Sequence, residues 1–535
     1  MRVLTTNEVR QAERDAIARP GMSTLVLMQQ AGAAVAQFCM ARFKFNSVCV
    51  VCGKGNNGGD GLVAAEALRP TVAKISVIIL AADVSALSPD AAAMCSRLQL
   101  EPIWVADETA FNSDEVRGAL AADLIVDAVV GTGFKPPLRG LAKRAVEAIN
   151  DASGTVVAVD LPSGVDADIT HPAPESSDMV FAHGIVTFIA PKPAHVFGEL
   201  TSGPIAVSEI GVLPAQVPNT TKLNAITGKE VGISFPPRPR DSNKGLFGHV
   251  LVVAGSLGKA GAAALAGRSA LTTGAGLATV ACPRSIQATV AGFAPEIMTE
   301  WLAETDEGSI AMAASEKIER LLVGKDAVVL GPGLSRNPAT EEFARWLVAN
   351  CPLPLVLDAD GLNAFDGRAR ELKPRGEKAP FRALTPHPGE AARLLGISIK
   401  EIQADRVKMA KRISQETGSY VVLKGWRTLV AGSSGETWIN MTGNAAMAKG
   451  GSGDVLSGMI GAALARHVPH SPIRPGFLRD VSVASAVYLH GLAGDFARDM
   501  LHENTVLAGN LPEYLTEAFH DCDQQLEQEL FYLQK

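Results

Sequence analysis

The stretch Gly443–Ala462, GNAAMAKGGSGDVLSGMIGA, carries the plainest chemistry in the chain. Gly450, Gly451 and Gly453 lack a Cβ, so the backbone can turn tightly and come close to a bound group. Asp454 follows at the first turn of an apolar helix pattern, VLSGMIGAALA. A helix start offers free N–H groups to an anion, and its dipole favours an ionised carboxylate there. A phosphate cradle and a base therefore stand side by side, which is what moving a phosphoryl group onto an alcohol requires. A plain N-cap would need one glycine, not this cluster.

A second constellation lies near the N-terminus, in SVCVVCGKGNNGGDGLVAAEALR. Ser47–Cys52 reads as a buried parallel strand, residues 53–60 as a loop and residues 61–68 as a helix. Gly53, Gly55 and Gly58 match G-x-G-x-x-G, which by itself suggests dinucleotide binding. Two features argue against hydride chemistry: two helical patterns precede the strand, and Asp83 is the sole late candidate for the acidic ribose ligand. Asn56, Asn57, Gly58, Gly59 and Asp60 instead offer two amides and a carboxylate, able to hold ribose, an amide or a cation as well as phosphate. Two more strand ends carry polar chemistry. One is Asp127 with Gly131, Thr132, Gly133, Phe134, Lys135, Pro136 and Pro137; the other is Asp160 with Ser163.

These residues need scaffolds that bring strand ends together. Strands at 47–52, 74–80, 122–130, 155–159, 179–189 and 205–210 alternate with helical patterns, which implies a parallel sheet with right-handed crossovers. Ligands in such sheets bind beyond the carboxyl ends of the strands. The pattern then repeats, with strands at 249–254, 277–281, 326–330, 354–358, 383–385 and 420–423. Their ends carry Gly333, Asp358 and Asp360, His387, and Lys424 to Thr428. The expected architecture is α/β: two domains, each a mostly parallel sheet flanked by helices. Pro214, Pro218, Pro236, Pro237 and Pro239 mark residues 216–240 as a linker. The domains are then 1–215 and 241–510, with helices at 454–467 and 480–498 in the second and a fraying polar tail over 511–535. Cys49 and Cys52 sit three apart in one strand, on opposite faces, so no metal or redox pair is expected. Lys192 and His195 lie in APKPAHVFGEL, where Lys192, flanked by prolines, reads as a turn residue.

The segment GGSGDVLSG resembles the signature of the ribokinase-like superfamily, and GNAAMAKGGSGDVLSG is most similar to its NAD(P)H-hydrate dehydratase branch. AGAAALAGRSALTTGAGL, LGPGL, LDADGLNAF, LTPHPGE and VLKGWRTLV extend that resemblance through the second domain. It implies that Asp454 is the catalytic base and that Ala262, Gly333, His387 and Asp454 line the hydrate site. It also implies that Lys424, Gly425, Trp426, Arg427, Thr428 and Gly453 bind the nucleotide, ADP with ATP the alternative. Asp358 and Asp360 are candidates for Mg2+ through water. NNGGDG, DAVVGTGF and VDLPSGVD together resemble the NAD(P)H-hydrate epimerase domain, a Rossmann-like fold. That resemblance implies that residues 56–60 and 131–137 hold the damaged cofactor and that Asn57, Asp127 and Ser163 bind K+. It implies that Asp160 is the acid/base at the hydrated carbon. The expected substrates are the hydrates of NADH and NADPH.

With 47% hydrophobic and 20% charged residues the chain has ordinary globular composition, and 535 residues exceed one core. A net charge of −7 argues against nucleic-acid or anionic-membrane partners. No apolar run was long enough for a membrane span and no signal layout opens the chain. Seven scattered cysteines suit a reducing cytoplasm, and a homo-oligomer is expected. Three rivals remain: a small-alcohol kinase with an appended dinucleotide domain, a non-catalytic dinucleotide sensor, and a Rossmann oxidoreductase. The first leaves NNGGDG and DLPSGVD without a purpose.

Overall fold

A computed structural model describes residues 1–173, 178–218, 220–373, 380–432, 434–466, 479–525 and 531–534. The chain forms two compact units, Met1–Leu223 rejoined by a terminal strand, and a second beginning at Asn224.

The first unit is built on an eight-stranded sheet. From one edge its strands are Ile103–Trp104, Lys74–Ile79, Ser47–Cys52, Leu124–Ala128, Thr155–Val159, Gly184–Phe188, Ile205–Ser208 and Phe531–Gln534. All pair in parallel except the last, which is antiparallel. The β-branched runs SVCVVC and TVVAV are buried on both faces, as parallel strands covered by helices must be. Val48, Val50 and Cys52 enter one core and Cys49 and Val51 the other, so the C-x-x-C pair is split across the sheet. The helix Thr24–Arg42 is, by length and composition alone, apolar enough to cross a membrane. That corrects the expectation that no run was long enough; here its Leu27, Met28, Val35 and Phe38 are buried in the core.

The second unit carries a ten-stranded sheet: Met298–Leu302, Leu277–Pro283, His249–Val253, Ala327–Leu330, Leu355–Leu357, Arg382–Leu384, Tyr420–Leu423, Leu429–Ala431, Thr437–Ile439 and Leu223–Ala225. Pairing is parallel up to Tyr420–Leu423 and antiparallel through the next two strands. The helices Ala260–Thr272 and Ser452–Ala465 pack backbone to backbone. A Cβ on Gly458 would lie 2.1 Å from the Ala266 carbonyl oxygen, so only glycine fits that crossing.

Three boundaries differ from the sequence reading. Residues 216–240 are not a linker: Leu223–Ala225 joins the sheet and Gly228–Ser234 is a helix, with Ile226 and Val231 in the second core. The prolines flank these elements instead of dissolving them. Within 511–535, expected as a fraying tail, the described residues include two ordered elements. Leu515–Gln525 is a helix whose Leu515, Ala518 and Cys522 recur at helical spacing and are buried, and Phe531–Gln534 pairs with Ile205–Ser208. The long helices are Ser452–Ala465 and Arg479–Leu501; His467, the expected end of the first, lies outside the described residues.

Candidate functional site

Ser47–Cys52, Leu124–Ala128 and Thr155–Val159 are neighbours in the first sheet, so their carboxyl ends form one rim. Residues 56–60 are not a loop but the opening of the helix Asn56–Leu68. The glycines let that helix start close to the strand: a Cβ on Gly58 would lie 2.0 Å from the Gly53 carbonyl oxygen. Asn56 is tied outward, accepting a 2.8 Å bond from Ser88 Oγ.

Asp127, fully buried, and Ser163 are one assembly. Asp127 Oδ1 accepts from Ser163 Oγ at 2.6 Å, and Oδ2 accepts from the Ser163 amide at 2.8 Å. Burial pushes the Asp127 carboxyl up to about 6, against the lowering effect of the Ser163 bonds. Asn57 Nδ2 is buried with no hydrogen-bond partner among the described residues. Asn57 Oδ1 lies 2.9 Å from where a Gly131 Cβ would sit, which keeps residue 131 small. In the 131–137 loop, Lys135 is held outside by Asp166 at 2.6 Å and Asp168 at 3.4 Å.

Asp160 sits at φ +65, a left-handed conformation that costs a non-glycine residue about 1–3 kcal/mol. Its partners over-determine it. Oδ1 accepts from Lys192 Nζ at 2.6 Å and from Thr187 Oγ1 at 2.8 Å. Lys192, 1% exposed, also donates to the Phe188 carbonyl. His195 Nδ1 accepts from the Lys192 amide at 2.9 Å, so the ring proton is on Nε2, which donates to the Asp160 carbonyl at 2.7 Å. Burial, then the Lys192 charge, push His195 down to about 4, and the ring stays neutral. Burial alone would raise the Asp160 carboxyl, but Lys192, His195 and the bonds from Lys192 and Thr187 together outweigh it and hold the group below its ordinary value. Burial and the nearby Asp160 push Asp60 well up. Lys192 is thus no turn residue, and neither it nor His195 stood out in the sequence, because their partner Asp160 is a strand end some thirty residues earlier. Glu13, on the first helix Thr6–Ile17, also joins this electrostatic cluster, raised by burial although Lys192 opposes it.

In the second unit the parallel strands from His249–Val253 to Tyr420–Leu423 are neighbours, and their ends converge on the first turn of Ser452–Ala465. Gly451, at φ +94, is its N-cap. Asp358 is buried beneath this turn; its Oδ1 accepts from Lys424 Nζ at 2.8 Å and from Thr385 Oγ1 at 2.6 Å. A Cβ on Gly453 would lie 3.3 Å from Lys424 Nζ and 3.8 Å from Asp358 Oδ2. Lys424 therefore points into the acidic cluster beside Asp454, whereas the resemblance placed it with the nucleotide-binding run. Burial lowers its ammonium, but Asp358 and Glu390 more than compensate and raise it. The helix dipole does not decide Asp454: burial, then the charge of Asp358, push its carboxyl up to about 7 despite Lys424.

The remaining residues frame this centre. Gly333, at φ +63, stands against Ala262, a Cβ on it lying 3.0 Å from the Ala262 Cβ. Its carbonyl accepts from Ser256 Oγ at 2.7 Å. His387 caps the helix Pro388–Leu395: Nδ1 accepts from the Gly389 amide at 3.0 Å, which leaves Nε2 as a donor. Arg406 holds the 424–428 turn through the carbonyls of Leu423 and Lys424, at 3.1 Å each, and of Trp426. Trp426 is exposed, Arg427 donates to the Met441 carbonyl, and Thr428 Oγ1 closes onto the Gly425 carbonyl. His490 Nε2 lies 3.0 Å from the Ser452 carbonyl, behind the glycine turn.

Metal candidates were tested on their donors. Among the described residues no group of three His, Cys, Asp or Glu side chains could cage a metal ion. Asp360 is committed to the Ser335 amide, Lys259 and Asn363. Asp358 keeps Oδ2 toward Gly453 and fits an ion that retains its waters. Asn57, Asp127 and Ser163 supply the amide, carboxylate and hydroxyl oxygens that a monovalent cation takes.

Two family models match in the same order as the two rims. One, described as YjeF-related protein N-terminus, matches residues 24–194; the other, described as NAD(P)H-hydrate dehydratase, matches residues 250–519. The bifunctional NAD(P)H-hydrate repair enzyme Nnr of Moorella thermoacetica is 37% identical over 98% of both chains. That of Escherichia coli is 33% identical over 94% of this chain and 91% of its own. The ADP/ATP-dependent NAD(P)H-hydrate dehydratase of Bacillus subtilis, co-crystallised with ATP and Mg2+, is 28% identical. It covers 56% of this chain and 98% of its own, at TM-score 0.47. With both domain models present and relatives matching along nearly its whole length, this chain belongs to the bifunctional NAD(P)H-hydrate repair enzymes.

Proposed function

We propose that the first unit interconverts the R and S hydrates of NADH and NADPH and that the second dehydrates the S hydrate with ADP, releasing AMP and phosphate. The observation that carries this reading is a buried carboxylate–lysine pair at each rim, Asp160–Lys192 and Asp358–Lys424. The activities divide between the units at Leu223 and Asn224.

In the first rim, residues 56–60 and 131–137 hold the hydrated cofactor. Lys192 protonates the ring hydroxyl, the C–O bond breaks as the ring nitrogen forms a double bond to that carbon, and water departs. Water returns on either face; Asp160 orients it and accepts its proton, which passes back to Lys192. Asn57, Asp127 and Ser163 would hold a K+ ion, which would steady the negative end of the cofactor and the Asp127 carboxylate.

In the second rim, Ala262, Gly333 and His387 position the S hydrate, and Gly425 to Thr428 with Gly453 position the nucleotide. Asp454 removes the hydroxyl proton as the oxygen attacks the terminal phosphoryl group, and AMP leaves. Lys424 and the N–H groups at Gly451–Gly453 stabilise the charge on the transferring group. Phosphate then departs with the C–O electron pair, and loss of a proton from the neighbouring carbon restores the ring double bond. Asp358 would hold Mg2+ through water, and the ion would neutralise the nucleotide phosphates. ATP is the alternative donor.

Seven free cysteines are consistent with a cytoplasmic setting; the proposal includes assembly as a homo-oligomer, which light scattering checks. The decisive experiment incubates acid-made NADH hydrate with the protein, Mg2+ and either nucleotide while following dihydronicotinamide absorbance. The wild type should recover both epimers, Asp160→Ala the S form alone and Asp454→Asn neither. Equal recovery in all three would end the proposal.

A further inference from the structure

At the far end of the helix Ser452–Ala465 from Asp454 stands a group of cations that the repair reaction does not use. Arg466 is the C-cap of that helix, so about 21 Å of helix separates it from the catalytic turn. It is 5% exposed, its Nε has no hydrogen-bond partner, and no carboxylate pairs with it among the described residues. Its guanidinium lies 5.3 Å from the Phe235 ring centre and 5.7 Å from that of Phe247. The guanidinium of Arg238, an exposed residue, lies 4.0 Å from the Phe247 ring centre and donates to the Gly274 carbonyl at 2.9 Å. It too has no acidic partner among the described residues.

The two guanidinium groups meet over Gly274. A Cβ built there would find just two atoms within 4 Å, Arg466 Nη1 at 3.2 Å and Arg238 Nη2 at 3.4 Å. Both terminal nitrogens therefore face the place that a side chain at 274 would take, and a Cβ there would press on both. Bringing two guanidinium groups together without an anion is costly. Burial, then the charge of Arg238, push Arg466 down to about 10, the direction an anion between the two groups would reverse. Planar guanidinium forks bind carboxylates and phosphoryl groups bidentately, and of these the phosphoryl group carries the larger charge for two unpaired cations to neutralise.

We propose that Arg238 and Arg466 form a phosphoryl-binding site over Gly274, separate from both catalytic rims. Inorganic phosphate and a nucleoside monophosphate share the required chemistry and both arise in the reaction assigned above, but the site itself does not depend on that assignment.

The test is thermal unfolding of the full chain with inorganic phosphate, AMP or adenosine, at ionic strength fixed with NaCl. Bound ligand raises Tm in proportion to its occupancy of the native state. Phosphate and AMP should raise Tm in the wild type and adenosine should not. Arg238→Gln, an exposed change, should weaken the phosphate response about tenfold in concentration, as loss of a charged hydrogen bond does. Arg466→Met should abolish it, and Lys424→Met, at the catalytic rim, should retain it. A larger response to AMP than to phosphate assigns the site to the nucleotide; equal responses assign it to the phosphoryl group alone. A response unchanged in Arg238→Gln, or lost in Lys424→Met, overturns the proposal whether or not the repair reaction is observed.

Discussion

The two rims are assembled from the same ingredients and arrive at opposite electrostatics. In the first, the carboxylate assigned to the chemistry is the one that holds the lysine: Asp160 pairs with Lys192 at 2.6 Å and is kept below its ordinary range. In the second, the lysine is taken by a neighbour. Lys424 pairs with Asp358 at 2.8 Å, and Asp454, pushed up by burial and then by that second negative charge, rises to about 7. The difference fits the two tasks. A reversible loss and return of water needs an acid and a base in contact. Deprotonating an alcohol for phosphoryl transfer needs a base whose pKa is near the working pH. Which carboxylate the lysine holds decides which chemistry a rim can do.

That comparison can be broken at several points. The largest effect should come from Asp454→Asn, which leaves no base: dehydration should fall by about 10^2 to 10^4 in a single-turnover assay, with epimerisation untouched. Lys192→Met should leave Asp160 buried without its cation and slow epimerisation by a similar factor of about 10^2 or more. Chiral chromatography of the hydrates would then show the R form persisting while the S form is consumed. Retained epimerisation would place the acid elsewhere.

The next effect sharpens the comparison rather than breaking it. The wild-type dehydration rate should rise with pH through about 7 as Asp454 ionises. Asp358→Asn removes the repelling charge and frees Lys424, turning the second rim electrostatically into a copy of the first. The limb of its pH–rate profile should move down, with burial still holding it above the ordinary carboxylate range, and an unmoved limb would mean that Asp358 does not act on Asp454. The smallest effect is on stability. A carboxyl whose folded pKa is raised binds its proton more tightly when folded, so its stabilising effect is present at low pH and lost as pH rises from about 4 through about 7. At pH 8 Asp454→Asn should therefore be more stable than the wild type by roughly 2 kcal/mol, taking about half the full worth of the shift for residual solvent. Calorimetry at pH 8 and pH 4 should show the gain at the former alone.

Much of this was legible beforehand. The β-branched runs bounded by glycine gave Ser47–Cys52, Thr155–Val159 and Tyr420–Leu423 with the observed limits, because a strand buried on both faces admits little else. Asp127 and Ser163 were expected at one sheet rim, and the structure brings them into two hydrogen bonds with each other, a pairing that the sequence did not show. What misled was local reading. NNGGDG looked like a loop, yet its glycines serve a helix that begins against a neighbouring strand. The proline-rich join looked like a linker, yet Ile226 and Val231 find a core. Lys192 looked like a turn residue because nothing near it in sequence explains a buried ammonium.

The amino-acid order alone indicated the strand ends that carry Asp127, Asp160, Asp358 and Lys424, since periodicity and glycine placement are properties of neighbours along the chain. Which charges meet was left to the tertiary structure. Asp160 and Lys192 are 32 positions apart, and Asp358 and Lys424 are 66 apart. Only parallel strands laid side by side bring such pairs within bonding distance. The proton affinity of Asp454 depends on burial and on Asp358, neither of which any window of sequence around it contains.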